Sequence, residues 1–104
     1  MSVIMTLQVS GDPAGAERYA AENQEAMRAI VERAVEHGLI AHRFYGADGQ
    51  ILVVDEWPDE QSCQQFFAET QPQIQPIMDA AGATGEPHPV FWRKLETHDD
   101  YGWE

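Results

Sequence analysis

Residues 39–57, LIAHRFYGADGQILVVDEW, decide the fold of this chain. Leu39–Tyr45 (LIAHRFY) and Gln50–Trp57 (QILVVDEW) are rich in β-branched and aromatic residues, and the turn-forming Gly46-Ala47-Asp48-Gly49 lies between them. Two such runs joined by a short Gly- and Asp-containing link predict an antiparallel hairpin. Pro58 stops the second strand, because proline has no N–H to give to a ladder. Asp59 then offers its carboxylate to the free amides of a helix start.

Upstream, Val3, Met5, Leu7 and Val9 alternate with Ile4, Thr6 and Gln8. That period predicts a strand over 3–9 with one fully apolar face. Gly11-Asp12-Pro13 closes it, with Asp12 as a helix cap and Pro13 at the first helical position. From there to Glu36 the chain is rich in Ala, Glu, Arg and Met, and one helix is expected. Its stripe is Ala20, Asn23, Met27, Ile30, Val31 and Ala34, and His37-Gly38 ends it.

Downstream of the hairpin, Cys63, Phe66, Phe67 and Thr70 form a second helical face, which Ile74, Ile77, Met78 and Ala81 continue. Pro72 and Pro76 fall inside this run. A mid-helix proline costs about 3 kcal/mol, so two short helices or a clear kink near Thr70–Pro72 are expected. Gly82 closes the segment. Val90–Leu95 (VFWRKL) reads as the last strand, and 96–104 (ETHDDYGWE) as an acidic tail.

The order strand–helix–strand–strand–helix–strand predicts an α+β, ferredoxin-like βαββαβ domain over 1–95, a four-stranded antiparallel sheet with its helices on one face. The other face is apolar too: if Val53 points at the helices, Leu52 and Val54 point away, and Val90 and Trp92 oppose Phe91 and Leu95. A sheet apolar on both faces must be covered twice. A copy of the chain across a two-fold axis is the simplest second cover, so a homodimer is expected.

The composition excludes several classes. Eighteen acidic against six basic residues give a net charge of −12, which repels phosphate backbones and anionic lipid surfaces. Neither a nucleic-acid nor a membrane partner is expected. No run approaches the roughly 20 apolar residues of a membrane span, and MSVIMTLQVS lacks the basic start and long apolar core of a signal peptide. With Cys63 as the single cysteine, no intramolecular disulfide forms, and a reducing cytoplasm is the expected location. Ten aromatic side chains among 104 residues supply bulk for a core without metals or disulfides.

Asp55-Glu56-Trp57 closing the third strand, Pro58-Asp59-Glu60 opening the next helix, and the element order over nearly the whole chain resemble the dimeric α/β-barrel superfamily, in the group that includes the antibiotic-biosynthesis monooxygenases. The resemblance implies a ferredoxin-like fold, pairing of sheets as dimers, and activities such as cofactor-free oxygenation of aromatic polyketide-like compounds or oxidative haem breakdown. Members often carry a His in the helix after the Glu-x-Trp element, whereas Glu60–Thr70 here has none. The haem-degrading members use an Asn on the first strand, where this chain offers Gln8.

Five residues are candidates for a site. His42, within the second strand, and Asp55, on a strand face where burial disfavours the charged carboxylate, are alternative general bases. Arg43 or Arg93 would instead hold Asp55 if it is a structural acid. Asn23 on the first helical stripe, Trp57 and Trp92 are expected to place a flat aromatic ring; the alternative for Asn23 is a hydrogen bond to water or backbone at the stripe's edge, and for the tryptophans core or dimer-seam packing. Cys63 reads as a small buried hydrophobe. His88, His98, Asp99 and Asp100 have no established metal-ligand spacing, and no cofactor is called for. The expected function is a hydrophobic or aromatic small-molecule pocket, working as a cofactor-independent monooxygenase on a phenol- or quinol-like compound. The alternatives are a non-catalytic binding protein of the same fold and a haem-handling protein using His42 or His88.

Overall fold

Four strands pair in the order β2-β3-β1-β4 in the computed structural model, which describes residues 1–85 and 87–103. They are β1 (Val3–Ser10), β2 (Ala41–Ala47), β3 (Gln50–Trp57) and β4 (Val90–Trp92), and every pairing is antiparallel. Three helices, α1 (Pro13–Glu22), α2 (Gln24–Glu36) and α3 (Glu60–Ala80), complete a ferredoxin-like α+β fold.

The hairpin forms as its composition requires, but with a tighter link. β2 runs on to Ala47, which pairs with Gln50, leaving Asp48-Gly49 as a two-residue loop. Gly49 sits at φ +71°, where a side chain is strained. That loop sets the register of the whole pair and places His42 opposite Asp55 and Phe44 opposite Val53.

The sheet buries one face. Met5, Leu7 and Val9 of β1 and Ile51, Val53, Asp55 and Trp57 of β3 are buried, and Ala34, Cys63 and Phe66 pack onto them from the helices. The opposite face carries Ile4, Tyr45, Val90 and Trp92 in the open, with Leu52 and Val54 half-buried. This is the apolar second face read from the alternation.

The first helix differs from its expected form, being two helices with a break at Asn23. The cause is local competition for an acceptor. In a continuous helix the Asn23 amide would donate to the Tyr19 carbonyl. Instead the Asn23 side-chain Nδ2 takes that carbonyl at 2.9 Å, and the backbone N–H turns to Ala20 at 3.3 Å. With φ −135° and ψ 45°, Asn23 both ends α1 and starts α2.

The third helix departs from one of its two expected forms. It is one element of 21 residues with Pro72 and Pro76 inside it, not two short ones. Both prolines are exposed, so the amides they lack and the carbonyls they crowd lie on the solvent side. Buried Phe66 and Thr70 before them and Ile77 after them hold the two halves to one core. Burying several large side chains at about 1.5–3 kcal/mol each outweighs the cost of about 3 kcal/mol per proline. The last strand is shorter than expected, three residues, and beyond it Leu95, Tyr101 and Trp103 are exposed.

Candidate active site

Between the sheet and the helices lies an apolar cavity of about 70 Å³. Its roof is the stripe of α2, Met27, Ile30, Val31 and Ala34, with Phe66, Phe67 and Ile74 of α3 beside it. Its floor is Leu7, Val53, Phe44, His42 and Asp55. His42 and Asp55 are the two polar side chains in this lining, and the hairpin register brings them together.

Asp55 Oδ1 and His42 Nδ1 are 2.6 Å apart. The carboxylate is an acceptor, so Nδ1 carries the proton and donates, and in the neutral form of the ring the lone pair then lies on Nε2. The other carboxylate oxygen, Oδ2, accepts from Trp57 Nε1 at 3.1 Å. Asp55 is 4% exposed and Trp57 0%, so water does not compete for the bond between them, while the His42 side chain, 26% exposed, leaves its own bond to Asp55 partly shielded. Phe44 sets the ring's tilt from the side, edge-on at 5.2 Å and 86°. The result is a relay, Trp57 to Asp55 to His42, whose last member meets the cavity. Among the described residues no side chain bonds His42 Nε2.

The sequence named His42 and Asp55 as alternatives, and the structure makes them partners. The two-residue loop was the signal that could have paired them: with Ala47 opposite Gln50, counting back five residues on one strand and forward five on the other reaches His42 and Asp55. Arg43, on the opposite face of β2, contacts the Tyr45 hydroxyl and not Asp55. Trp57 stands behind Asp55 as its donor. Trp92 projects from the other face of the sheet, 52% exposed, with Nε1 donating to Thr6 Oγ1 at 2.7 Å. Asn23 caps the helix junction. None of these three lines the cavity wall.

Phe44, Phe66 and Phe67 supply the aromatic walls that the sequence reading assigned to tryptophans. Cys63 lies buried in the same core, where burial and the nearby Asp55 and Glu60 charges push its thiol up to about 12. His88 is exposed on the segment before β4, and His98 lies in the exposed tail. Among the described residues no group of three or more His, Cys, Asp and Glu converges as a metal cluster, and no helix is long and apolar enough to cross a membrane.

No family model and no curated protein matches the chain. Its fold does match solved structures. It is similar to a dimeric ferredoxin-like protein from an uncultured marine organism, with a TM-score of 0.65 and 13% identity over 96% of this chain and 93% of that one. It is similar to an antibiotic biosynthesis monooxygenase, with a TM-score of 0.61 and 16% identity over 89% and 98% of the two chains. It is also similar to SnoaB, a cofactor-independent oxygenase from Streptomyces nogalater, with a TM-score of 0.59 and 16% identity over 95% and 98%. The chain therefore has the ferredoxin-like fold that antibiotic-biosynthesis-monooxygenase-type and dimeric ferredoxin-like proteins share.

Proposed function

We propose that this protein is a cofactor-independent monooxygenase acting on an aromatic phenol- or quinol-like compound, with His42 as the general base. The observation that carries the reading is the His42–Asp55 pair as the polar element of an otherwise apolar cavity. A fold shared with a cofactor-independent oxygenase supports it.

The chemistry asks little of such a site. A phenol or quinol that loses a proton to His42 Nε2 becomes an electron-rich anion that reacts directly with oxygen. Oxygen adds to a ring carbon ortho or para to the oxyanion as a hydroperoxide. That carbon then loses its hydrogen as the O–O bond breaks, which leaves a carbonyl there and releases the second oxygen as water, so the substrate itself is oxidised to the quinone and supplies both hydrogens. Asp55 holds the imidazole in the tautomer that accepts the proton and faces the imidazolium that forms. The largely apolar lining thins the water around the pair, which strengthens both effects and admits oxygen itself. Phe44, Phe66 and Phe67 are the side chains placed to stack on that ring.

The working form in this proposal is a homodimer through the outer sheet face, where Ile4 and Val90 neighbour Trp92 and Val54 and Leu52 lie further across on β3. The test is oxygen uptake by the purified, chelator-treated protein with a panel of phenols and quinols. Uptake that needs the protein and falls to background in His42→Gln supports the proposal. Saturable binding of the same compounds with no uptake contradicts it and leaves a non-catalytic binding protein.

A further inference from the structure

The cavity at His42 is too small for the ring it is proposed to hold. A benzene-sized guest needs a cavity on the order of 150 Å³, and this one has about 70 Å³. A second chamber of about 260 Å³ lies against it, and the two share the walls Leu7, Phe67, Ile74 and Met78. Taken together they reach the lower end of small-molecule pockets, roughly 300–1,000 Å³.

The outer chamber exists because of a gap in the sheet. β4 joins β1 only from Thr6 back to Ile4, and the next contact on that edge is the bridge from Ser10 to Thr84. Between them, at the level of Leu7, the neighbouring chain is Pro87 and Pro89, which line the chamber. Proline has no N–H to offer the β1 carbonyls, so this segment does not zip onto the strand. The space between it and α3 forms a mouth. Ala68, Gln71 and Gln75 of α3 stand at the mouth, exposed, and give it polar groups that the inner chamber lacks above its floor.

We infer that ligands reach His42 through this mouth, between α3 and the Pro87–Pro89 segment, and not across the rim of α2 and β2, where Val31 and Phe44 are each 38% exposed, and that Phe67 and Met78 are the partition that moves to join the two chambers. The inference rests on the pocket reading above and adds the route and the residues that set specificity along it. Met78 suits the role: it is half-buried, unbranched and able to change rotamer at little cost. A bound molecule then lies with its reacting carbon at His42 and its far end at the mouth, where Gln71 and Gln75 meet polar substituents. Length and distal polarity, more than ring shape at His42, decide which molecules fit.

The four methionines make the test direct. Met78 lies in the partition, Met27 lines the inner chamber alone, Met5 is in the core, and Met1 is fully exposed as a control. The methyl resonances of ¹³C-methyl-methionine protein are followed while 1-naphthol is added, in wild type, in Ala68→Trp and in Met78→Ala. Ala68 is exposed, so its variant narrows the mouth without touching the core. The expected result is movement of both Met78 and Met27, with Kd raised about tenfold in Ala68→Trp and lowered in Met78→Ala. Movement of Met27 alone, insensitive to Ala68→Trp, overturns the route while the pocket stands. Movement of Met78 alone shows that the partition stays closed and overturns the joining of the chambers. Silence at both methyls overturns the pocket reading itself, and the route with it.

Discussion

Asp55→Asn separates an oriented general base from a merely buried histidine. In the wild type the carboxylate accepts twice, from His42 Nδ1 at 2.6 Å and from Trp57 Nε1 at 3.1 Å. An amide of the same shape has one oxygen and one NH2. If the oxygen keeps Trp57, the NH2 points at His42, which must accept on Nδ1 and carry its proton on Nε2. If the oxygen keeps His42, two N–H donors meet at Trp57, and the buried Nε1 is left unbonded. The second arrangement costs about 1–3 kcal/mol with no water to relieve it, so the first is expected. The ring survives but is turned into the wrong tautomer. Loss of general-base assistance then lowers turnover about 10²–10⁴-fold, while stability falls only by the difference between a charged and a neutral hydrogen bond, about 1 kcal/mol. Long-range ¹H–¹⁵N correlation spectra of the neutral ring read the tautomer without any substrate, with His42→Gln to assign the signals. Wild type is expected to show protonated Nδ1 and bare Nε2, and the variant the reverse. A variant with the wild-type nitrogen pattern would refute the relay.

Other expectations follow from separate features. A Cβ on Gly15 would sit 2.6 Å from the Ala80 carbonyl oxygen, where α1 meets the end of α3. Gly15→Ala gains up to about 1 kcal/mol of helix propensity but loses about 1–3 kcal/mol to backbone overlap, so its urea midpoint is expected to fall. Cys63, with its thiol raised to about 12, should resist alkylation in native buffer and react only as the protein unfolds. Its raised value in the folded state means that its contribution is intact below the ordinary thiol range near 9.0 and is lost as pH rises toward 12. Cys63→Ala should flatten that alkaline slope in thermal melts. Trp92→Glu puts a charge on the outer sheet face, and sedimentation should find a chain-mass species where the wild type is expected to give twice that mass. A wild type that sediments as a single chain contradicts the dimer.

How much of this was legible depended on whether a local signal competed with a distant one. The hairpin, the β1 alternation and the stripe Met27, Ile30, Val31 and Ala34 stood in the residues, and that stripe is the cavity roof. The break at Asn23 was hidden because composition around it is uniformly helix-forming. What breaks the helix is one side chain taking one carbonyl. The unbroken α3 was hidden for the opposite reason. The prolines are a strong local signal, overridden by Phe66, Thr70 and Ile77 packing on both sides of them. The His42–Asp55 pair needed the register, and reading four link residues in place of two shifts every partner along the hairpin. Which chambers adjoin, and that Pro87 and Pro89 hold a gap open, follows from tertiary placement that no periodicity encodes.

The central claim, that His42 held by Asp55 starts a direct reaction between an aromatic substrate and oxygen, meets its most direct test in isotope incorporation. A quinol or phenol that the protein consumes is turned over under ¹⁸O₂ in ordinary water, and the product mass is recorded for wild type and His42→Gln. The account expects one ¹⁸O atom per product molecule from the wild type and unlabelled, unreacted substrate from the variant. Product oxygen drawn from water, or labelling that persists undiminished without His42, contradicts it.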